Sequence, residues 1–359
     1  MEMKTFCFAA SLLFACHANA QGSVTLTGLL DGGVSYVSNE GGSHVVKFDD
    51  GIAVPNLLRF LGKEDLGGGT RAIFDLTSQF ELGSGTFMPG GSLFTRNAFV
   101  GLDDDHFGKL TFGNQYDFLI DSLFFGLDDG AIYAQGVYDF RNGPFAKLAL
   151  PNNPTGAFDW DGMAGSRPIH SSVKYASPSF GGFSAGAMYG FGGVAGSFGS
   201  ESGMSFGLNY VHGAFGANAA YTQTKTAVAG VQDSVRNWGF GAHYGFGPVT
   251  VTGLYTAVRN ELNGAAVWQA ELGGLWQIAP EWALSGTYMY MKGNKVVDNN
   301  HAHQLSAMLS YFLSKRTSVY VASVYQRTNE GAMAQINDVM VASSGPSQFI
   351  GRIGLQTRF

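Results

Sequence analysis

Cysteine is nearly missing from this chain, and charge is scarce. The only two cysteines, Cys7 and Cys16, fall within the first twenty of 359 residues. The remaining chain therefore has no disulfide framework and no thiolate chemistry. Charged residues make up 13% of the sequence, where a soluble chain carries about 25%. That shortfall points to a surface that partly faces something other than water. What charge there is has a negative excess, with 27 acids against 21 Lys and Arg and a formal net charge of −6, which argues against nucleic acid as a partner. No run of about 20 apolar residues occurs, so a span by an apolar helix is excluded.

Glycine and aromatic residues are abundant instead, with 52 Gly, 29 Phe, 15 Tyr and 5 Trp. Glycine is a poor helix former and aromatics favour strands, so the chain reads as all-β. The mean hydropathy of +0.04 reflects polar and apolar residues finely mixed along the sequence.

Residues 1–20 read as a signal peptide: Lys4 gives a basic start, Phe6 to Ala15 an apolar stretch, and Ala18-Asn19-Ala20 a small-residue cleavage site. Cleavage after Ala20 leaves one domain, 21–359, exported across the inner membrane. A lipoprotein site at Leu13-Phe14-Ala15-Cys16 fits less well, because Phe14 is large for it.

From Arg71 to Leu82 the chain alternates strictly, with Ala72, Phe74, Leu76, Phe80 and Leu82 on one face and Arg71, Asp75, Thr77, Gln79 and Glu81 on the other. Such a strand lies between two different media. The pattern recurs, for example in Phe183-Ala185-Ala187-Tyr189, Trp238-Phe240-Ala242-Tyr244 and Trp282-Leu284-Tyr288-Tyr290. A half-buried soluble sheet explains the alternation, but not the aromatics that close each apolar row. Those are what the interfacial girdles of a membrane barrel require. Tight turns near 65–69, 103–108, 177–182, 212–216, 245–248, 278–281 and 313–317 alternate with long polar connections near 38–55, 83–92, 117–166, 190–203, 224–236, 258–265, 292–301 and 328–346. The count predicts a 16-stranded antiparallel transmembrane β-barrel, closed because unpaired backbone groups are not tolerated in lipid. The last strand places Phe349, Gly351, Ile353, Leu355, Thr357 and the terminal Phe359 on one face. Phe359 reads as the terminal signal for barrel-assembly machinery.

Ser23-Val24-Thr25-Leu26-Thr27-Gly28-Leu29-Leu30-Asp31-Gly32-Gly33, Glu64-Asp65-Leu66-Gly67-Gly68-Gly69, Ala98-Phe99-Val100-Gly101-Leu102, Ser172-Val173-Lys174-Tyr175-Ala176-Ser177-Pro178 and the Phe terminus occur in an order and spacing that resembles the general diffusion porins of Gram-negative bacteria, of the trimeric type found in Burkholderia, Bordetella and Neisseria. The resemblance implies a homotrimer in the cell outer membrane, surrounded by lipid and lipopolysaccharide. It also implies a water-filled lumen passing ions and small hydrophilic solutes, and a third extracellular loop folded inward. The sequence departs from the family pattern at Leu57 and Asn114, where arginine is usual.

A barrel of this size leaves an aqueous channel, and the longest connection, 117–166, is the candidate for narrowing it. It carries seven acids (Asp117, Asp121, Asp128, Asp129, Asp139, Asp159 and Asp161) against Arg141 and Lys147. The first five are taken as the acidic side of a constriction. Arg59, Lys63 and Arg71 have the parity of the opposite, lumen-facing wall, and the resemblance adds Arg96 and Arg167. Opposed walls of this kind set up a transverse field, and the acidic loop suggests weak cation preference.

Enzyme signals are poor: no nucleophile elbow occurs, and the histidines are scattered. His301-Ala302-His303 lacks a third metal ligand, so no metal or cofactor is expected. The alternatives left open are a substrate-selective channel of similar architecture and, further off, a barrel hydrolase or an adhesin.

Overall fold

The computed structural model describes residues 22–88, 90–134 and 136–359; the signal-peptide reading lies outside them. Sixteen antiparallel strands close on themselves. They are β1 Ser23–Glu40, β2 in two pieces (Ser43–Asp50 and Leu57–Gly67), β3 Thr70–Phe80, β4 Asn97–Asp104, β5 Gly108–Gln115, β6 Ile169–Ala176, β7 Phe183–Gly190 and β8 Gly203–His212. The second half comprises β9 Phe215–Val228, β10 Val231–Phe246, β11 Val249–Asn260, β12 Ala266–Ala279, β13 Trp282–Gly293, β14 His301–Phe312, β15 Thr317–Thr328 and β16 Ser347–Arg358. Each strand pairs with its sequence neighbours, and β1 also pairs with β16, from Leu29↔Arg358 to Val37↔Ile350. Helix is confined to short turns.

The polarity of a soluble protein is inverted. Leu208, Leu272 and Ile353 are 64%, 63% and 67% exposed, while Ser205, Thr256, Gln269, Gln304 and Gln348 are buried on the opposite parity. Apolar side chains facing out over a closed sheet, with polar ones facing in, belong to a barrel whose outer solvent is lipid. Outward rings form two tiers. Trp238, Tyr255, Trp268 and Tyr290 form a row with successive centroids 5.3 to 5.8 Å apart, and Phe183–Tyr210 and Trp282–Tyr311 line the tight-turn end. Trp268 and Trp276 on β12 are separated by about 26 Å of strand, enough for the hydrocarbon layer.

Two of the connections expected to be long are hairpins. β1 and β2 join through Gly41-Gly42 (φ +62° and +102°), and β9 and β10 join through Ala229-Gly230 (φ +49° and +81°). Left-handed residues let a two-residue turn reverse the chain, so the polar stretches 38–50 and 224–236 continue the ladder instead of leaving it. The break in β2 has a separate cause. Asp31 on β1 accepts hydrogen bonds from the Ile52 and Ala53 amides (2.8 and 3.0 Å), while its own amide donates to Asn56 Oδ1 (2.8 Å).

The chain end closes the seam. The Gly28 amide donates to the Phe359 carbonyl at 3.0 Å, and Thr27 Oγ1 donates to the same oxygen at 2.6 Å. The Phe359 ring lies where a Cβ on Gly28 would be, within 2.4 Å.

Candidate functional site

The connection between β5 and β6 does not leave the barrel. From Asp117 to Ser166 it packs against inward-pointing side chains around most of the wall. Ser205 on β8 accepts from the Phe118 amide (2.9 Å), Asn218 on β9 donates to Asp128 (2.8 Å), and Thr256 on β11 donates to Asp161 (2.7 Å). Farther round, Glu271 on β12 accepts from the Gly130 amide (2.7 Å), while Thr287 on β13 and Ser306 on β14 donate to Asp139 (2.7 and 2.5 Å). Tyr138 reaches β1 and β2, donating to Asp49 and contacting Ser35. These contacts run round the wall from β8 to the first piece of β2 and leave uncovered the second piece of β2 together with β3 to β5.

An apolar layer cements the attachment. Phe118, Leu119 and Leu123 pack with Met188, Ala220 and Leu254, and Phe145, Leu148 and Trp160 pack with Val258, Met289 and Met291. Inside that layer Arg141 is fully buried. Its guanidinium lies 2.7 Å from Asp129, 3.1 Å from Asp161 and 3.1 Å from Glu271. Burial disfavours this cation, and the three carboxylates outweigh it, so the Arg141 pKa is well above its ordinary value.

The expected opposition of walls is not what the fold builds. Asp128, Asp129 and Asp139 have no exposed surface, and Asp117 is buried as well. Their carboxylates turn back to the barrel wall, because strand hydroxyls, amides and Arg141 satisfy them there and an unpaired buried charge is costly. Only Asp121 keeps partial access to water, paired with Lys174 on β6 at 2.6 Å. The expectation of cation preference from these acids loses its basis accordingly.

The five bases are also dispersed. Arg59 faces inward on β2 and pairs with Asp75 on β3 at 2.8 Å, with its side chain 36% exposed. Lys63 has the same parity and is exposed. Arg71 lies at the tight-turn end with Asp103 and Asp105. Arg96, just before β4, donates to the Ala164 and Gly165 carbonyls (2.7 and 2.6 Å), and Arg167 donates to the Asp159 and Trp160 carbonyls (2.9 and 3.1 Å). These last two arginines hold the end of the inner segment. Glu271, Lys174 and Asp31 were not singled out by sequence reading; an inward-parity charge in mid-strand was the available signal. His301 and His303 point outward on β14, with the Tyr288 hydroxyl 2.7 Å from His303 Nδ1.

Burial raises the carboxyls of Asp128, Asp139 and Asp161 to about 6 each. Hydrogen bonds from His243 and Asn218 oppose the rise at Asp128, Ser306 and Thr287 at Asp139, and the Arg141 charge at Asp161. A carboxyl whose attached-state pKa exceeds its free value binds protons more tightly when attached, so attachment strengthens as pH falls through 6 toward 4. For Asp128, the rise from 3.8 to about 6 corresponds to an upper bound of roughly 3 kcal/mol. Hydrogen exchange of amides 118–134, corrected for intrinsic rates, is expected to show greater protection at pH 5 than at pH 7.5. Asp128→Asn should be more protected at pH 7.5 than wild type and less dependent on pH.

A closed barrel with outward apolar rows, a polar interior and an inner segment on its wall defines an outer-membrane channel. Residues 7–331 match the Gram-negative porin family, and the chain belongs to it. An outer membrane porin protein of Bordetella pertussis is 30% identical over 286 residues, covering 70% of this chain and 69% of its own. Outer membrane porin protein 32 of Delftia acidovorans is 28% identical over 370 residues, covering 99% and 98%. Among solved structures, the anion-selective porin from Comamonas acidovorans superposes with a TM-score of 0.79 at 23% identity, covering 94% of this chain and 100% of that one. The protein is thus an outer-membrane porin, a channel for passive diffusion; the family and these relatives are channels rather than enzymes.

Proposed function

We propose that this porin admits small hydrophilic solutes and ions with a weak preference for anions, as a homotrimer in outer-membrane lipid and lipopolysaccharide, inserted by barrel-assembly machinery that reads Phe359. Signal-peptide cleavage after Ala20 leaves the barrel domain, 21–359. The observation that carries the ion preference is the asymmetry of access along the wall of β2 and β3. Lys47 and Arg59 keep 31% and 36% of their side-chain surface, while their partners Asp49 and Asp75 keep 10% and 8%, and the inner segment's acids are buried except Asp121, which is paired with Lys174. Mobile ions then meet cationic groups first. The Comamonas relative, described as anion-selective, is consistent with this sign. Arg59, Lys63 and Lys47 are the charges assigned to permeation; Arg71, Arg96 and Arg167 are assigned to holding turns and the inner segment.

The trimer reading rests on the girdle. Outward Tyr and Trp residues recur from Tyr175 on β6 to Tyr325 on β15, whereas β1 to β5 present Val24, Leu26, Phe60, Leu76, Val100 and Leu102, with Tyr36 as their one outward Tyr or Trp among the described residues. Amphipathic rings serve a lipid interface, and a face without them suits another subunit.

In planar bilayers the purified protein is expected to give large steps closing in threes, with a reversal potential of anion sign. Arg59→Gln should move that potential toward the cation side. A potential of cation sign in wild type, or no shift in the variant, would refute the assignment.

A further inference from the structure

A second stretch of the chain enters the barrel. The connection between β15 and β16, residues 329–346, turns inward because each flanking strand offers it an inward-pointing glutamine. Gln326 on β15 accepts from the Gln335 amide (2.8 Å), and Gln348 on β16 accepts from the Ile336 amide (2.7 Å). Ile336 and Val339 are then buried with Val37, Tyr138, Val324 and Ile350. The connection also grips the inner segment. The Gly143 amide donates to the Gln335 carbonyl (2.8 Å), the Asp159 amide donates to Asn337 Oδ1 (2.9 Å), and Asn337 Nδ2 donates to the Val137 carbonyl (2.9 Å).

Asp338 follows directly. It is half-buried and stands in the left-handed region at φ +65°, which Asp and Asn tolerate better than most residues bearing a side chain. With Lys47 on β2, Gln79 on β3, Glu81 and Arg96, it lines an opening of about 410 Å³ whose other side includes Phe158 of the inner segment. The remaining charges there are engaged. Arg96 donates to Gln79 (2.5 Å) and to the Ala164 and Gly165 carbonyls, and Glu81 accepts from Ser84 (2.5 Å). Lys47 lies 3.4 Å from Asp49, and Asp50 accepts from the Leu82 and Gly83 amides (2.9 and 3.0 Å). At Asp338 burial and charge dominate: Asp49 and Asp50 on β2 repel it, while Lys47 on β2 and Arg352 on β16 attract it.

Gln335, Ile336 and Asn337 fasten the connection through their own bonds, which leaves the Asp338 carboxylate to act on what passes. We propose that Asp338 is the acidic residue that permeating ions meet, sharing the opening with Lys47, and that its charge limits the anion preference. The inner segment, although richest in acids, does not supply this charge: its carboxylates are buried or, at Asp121, paired with Lys174. Asp338 lies in a connection, outside the membrane-spanning strands. Burial and the like charges of Asp49 and Asp50 push its carboxyl up to about 7, against the pull of Lys47 and Arg352. Below that pH the group is neutral and Lys47 and Arg59 act unopposed; above it the carboxylate offsets them. Anion preference therefore strengthens as pH falls through 7. The inference rests on the porin reading and assigns a further residue to its selectivity.

The test is the reversal potential of the full barrel in uncharged planar bilayers under a potassium chloride gradient, read from about pH 8.5 to about pH 5.5. On acidification wild type should gain roughly two- to fivefold in chloride-over-potassium permeability, the effect of removing one charge within several ångströms of the path. Asp338→Asn keeps a residue that tolerates the left-handed backbone and should hold the acid-side value at every pH. Any part of the change that comes from histidines would persist in that variant. Lys47→Gln, a second variant in case the first fails to fold, should shift the preference toward cations and move the midpoint to higher pH, because Lys47 holds the carboxyl down. A wild-type preference that ignores pH, or the same pH dependence in wild type and Asp338→Asn, would overturn the proposal. Conductance itself reports on the porin reading: a conducting barrel indifferent to Asp338 overturns this proposal alone, whereas a barrel that passes no ions overturns both.

Discussion

Arg141→Met is expected to release the inner segment from the barrel wall. The wild-type guanidinium is the shared counter-ion of Asp129, Asp161 and Glu271, all without exposed surface. Methionine preserves much of the volume but leaves three carboxylates crowded in a dry site. Removing one partner of a buried ion cluster costs about 3–5 kcal/mol, and here the remaining charges also repel. The segment has an escape that the strands lack, since it can swing into the lumen and rehydrate its acids. Amides hydrogen-bonded in the attached state, such as those of Gly130 and Tyr133, should exchange roughly 100- to 5000-fold faster. Single-channel records should change from one open level to several, because a detached segment samples the channel cross-section. Adding Glu271→Gln should restore part of the protection by lowering the uncompensated charge. Unchanged exchange in Arg141→Met would mean that the apolar layer of Phe118, Leu123, Phe145 and Trp160 holds the segment alone.

Arg352→Met acts on the barrel itself. Arg352 on β16 lies 3.0 Å from Asp31 on β1, across the closing pair of strands, and also donates to Ser35, the Tyr320 hydroxyl and the Asp49 carbonyl. Tyr320 in turn donates to Asp31 at 2.6 Å. Without the guanidinium, the Asp31 carboxylate stays buried with hydrogen-bond donors but no counter-ion, again about 3–5 kcal/mol. Because the pair spans the seam, the loss falls on closure and not on one loop. The temperature at which the folded band converts to the unfolded one in gel electrophoresis is expected to fall by roughly 5–10 °C, whereas Arg141→Met should move it much less. The reverse pattern would show that the seam is held by the β1–β16 backbone ladder and the Gly28–Phe359 contacts.

The barrel was legible because a strand between lipid and water must alternate, and the period of two survives in Arg71–Leu82 and Trp282–Tyr290 whatever the neighbours are. Turn signals at Gly67–Gly69 and Gly247-Pro248 mark the chain reversals for the same local reason. Legibility failed where local and global cues diverge. The stretches around Gly41-Gly42 and Ala229-Gly230 are polar enough to look like loops, yet they extend hairpins beyond the lipid layer, where outward residues meet water and need not be apolar. Likewise, the acids of the inner segment are countable, but which way each one turns depends on partners up to 167 residues away, as in the bond from Ser306 to Asp139.

What the sequence by itself determined is the medium and the class: alternating rows, aromatic row ends and sixteen segments leave few alternatives to a membrane barrel, because those patterns are set by each residue's own transfer from water to lipid. What only the tertiary structure decided is where the charges act. Arg59 remains partly in water beside Asp75, Arg141 disappears among three carboxylates, and Arg352 comes beside Asp31, since strand register and the path of the inner segment bring together residues remote in sequence. A charge in low dielectric takes its meaning from the groups within a few ångströms, and those neighbours exist only once the barrel has closed.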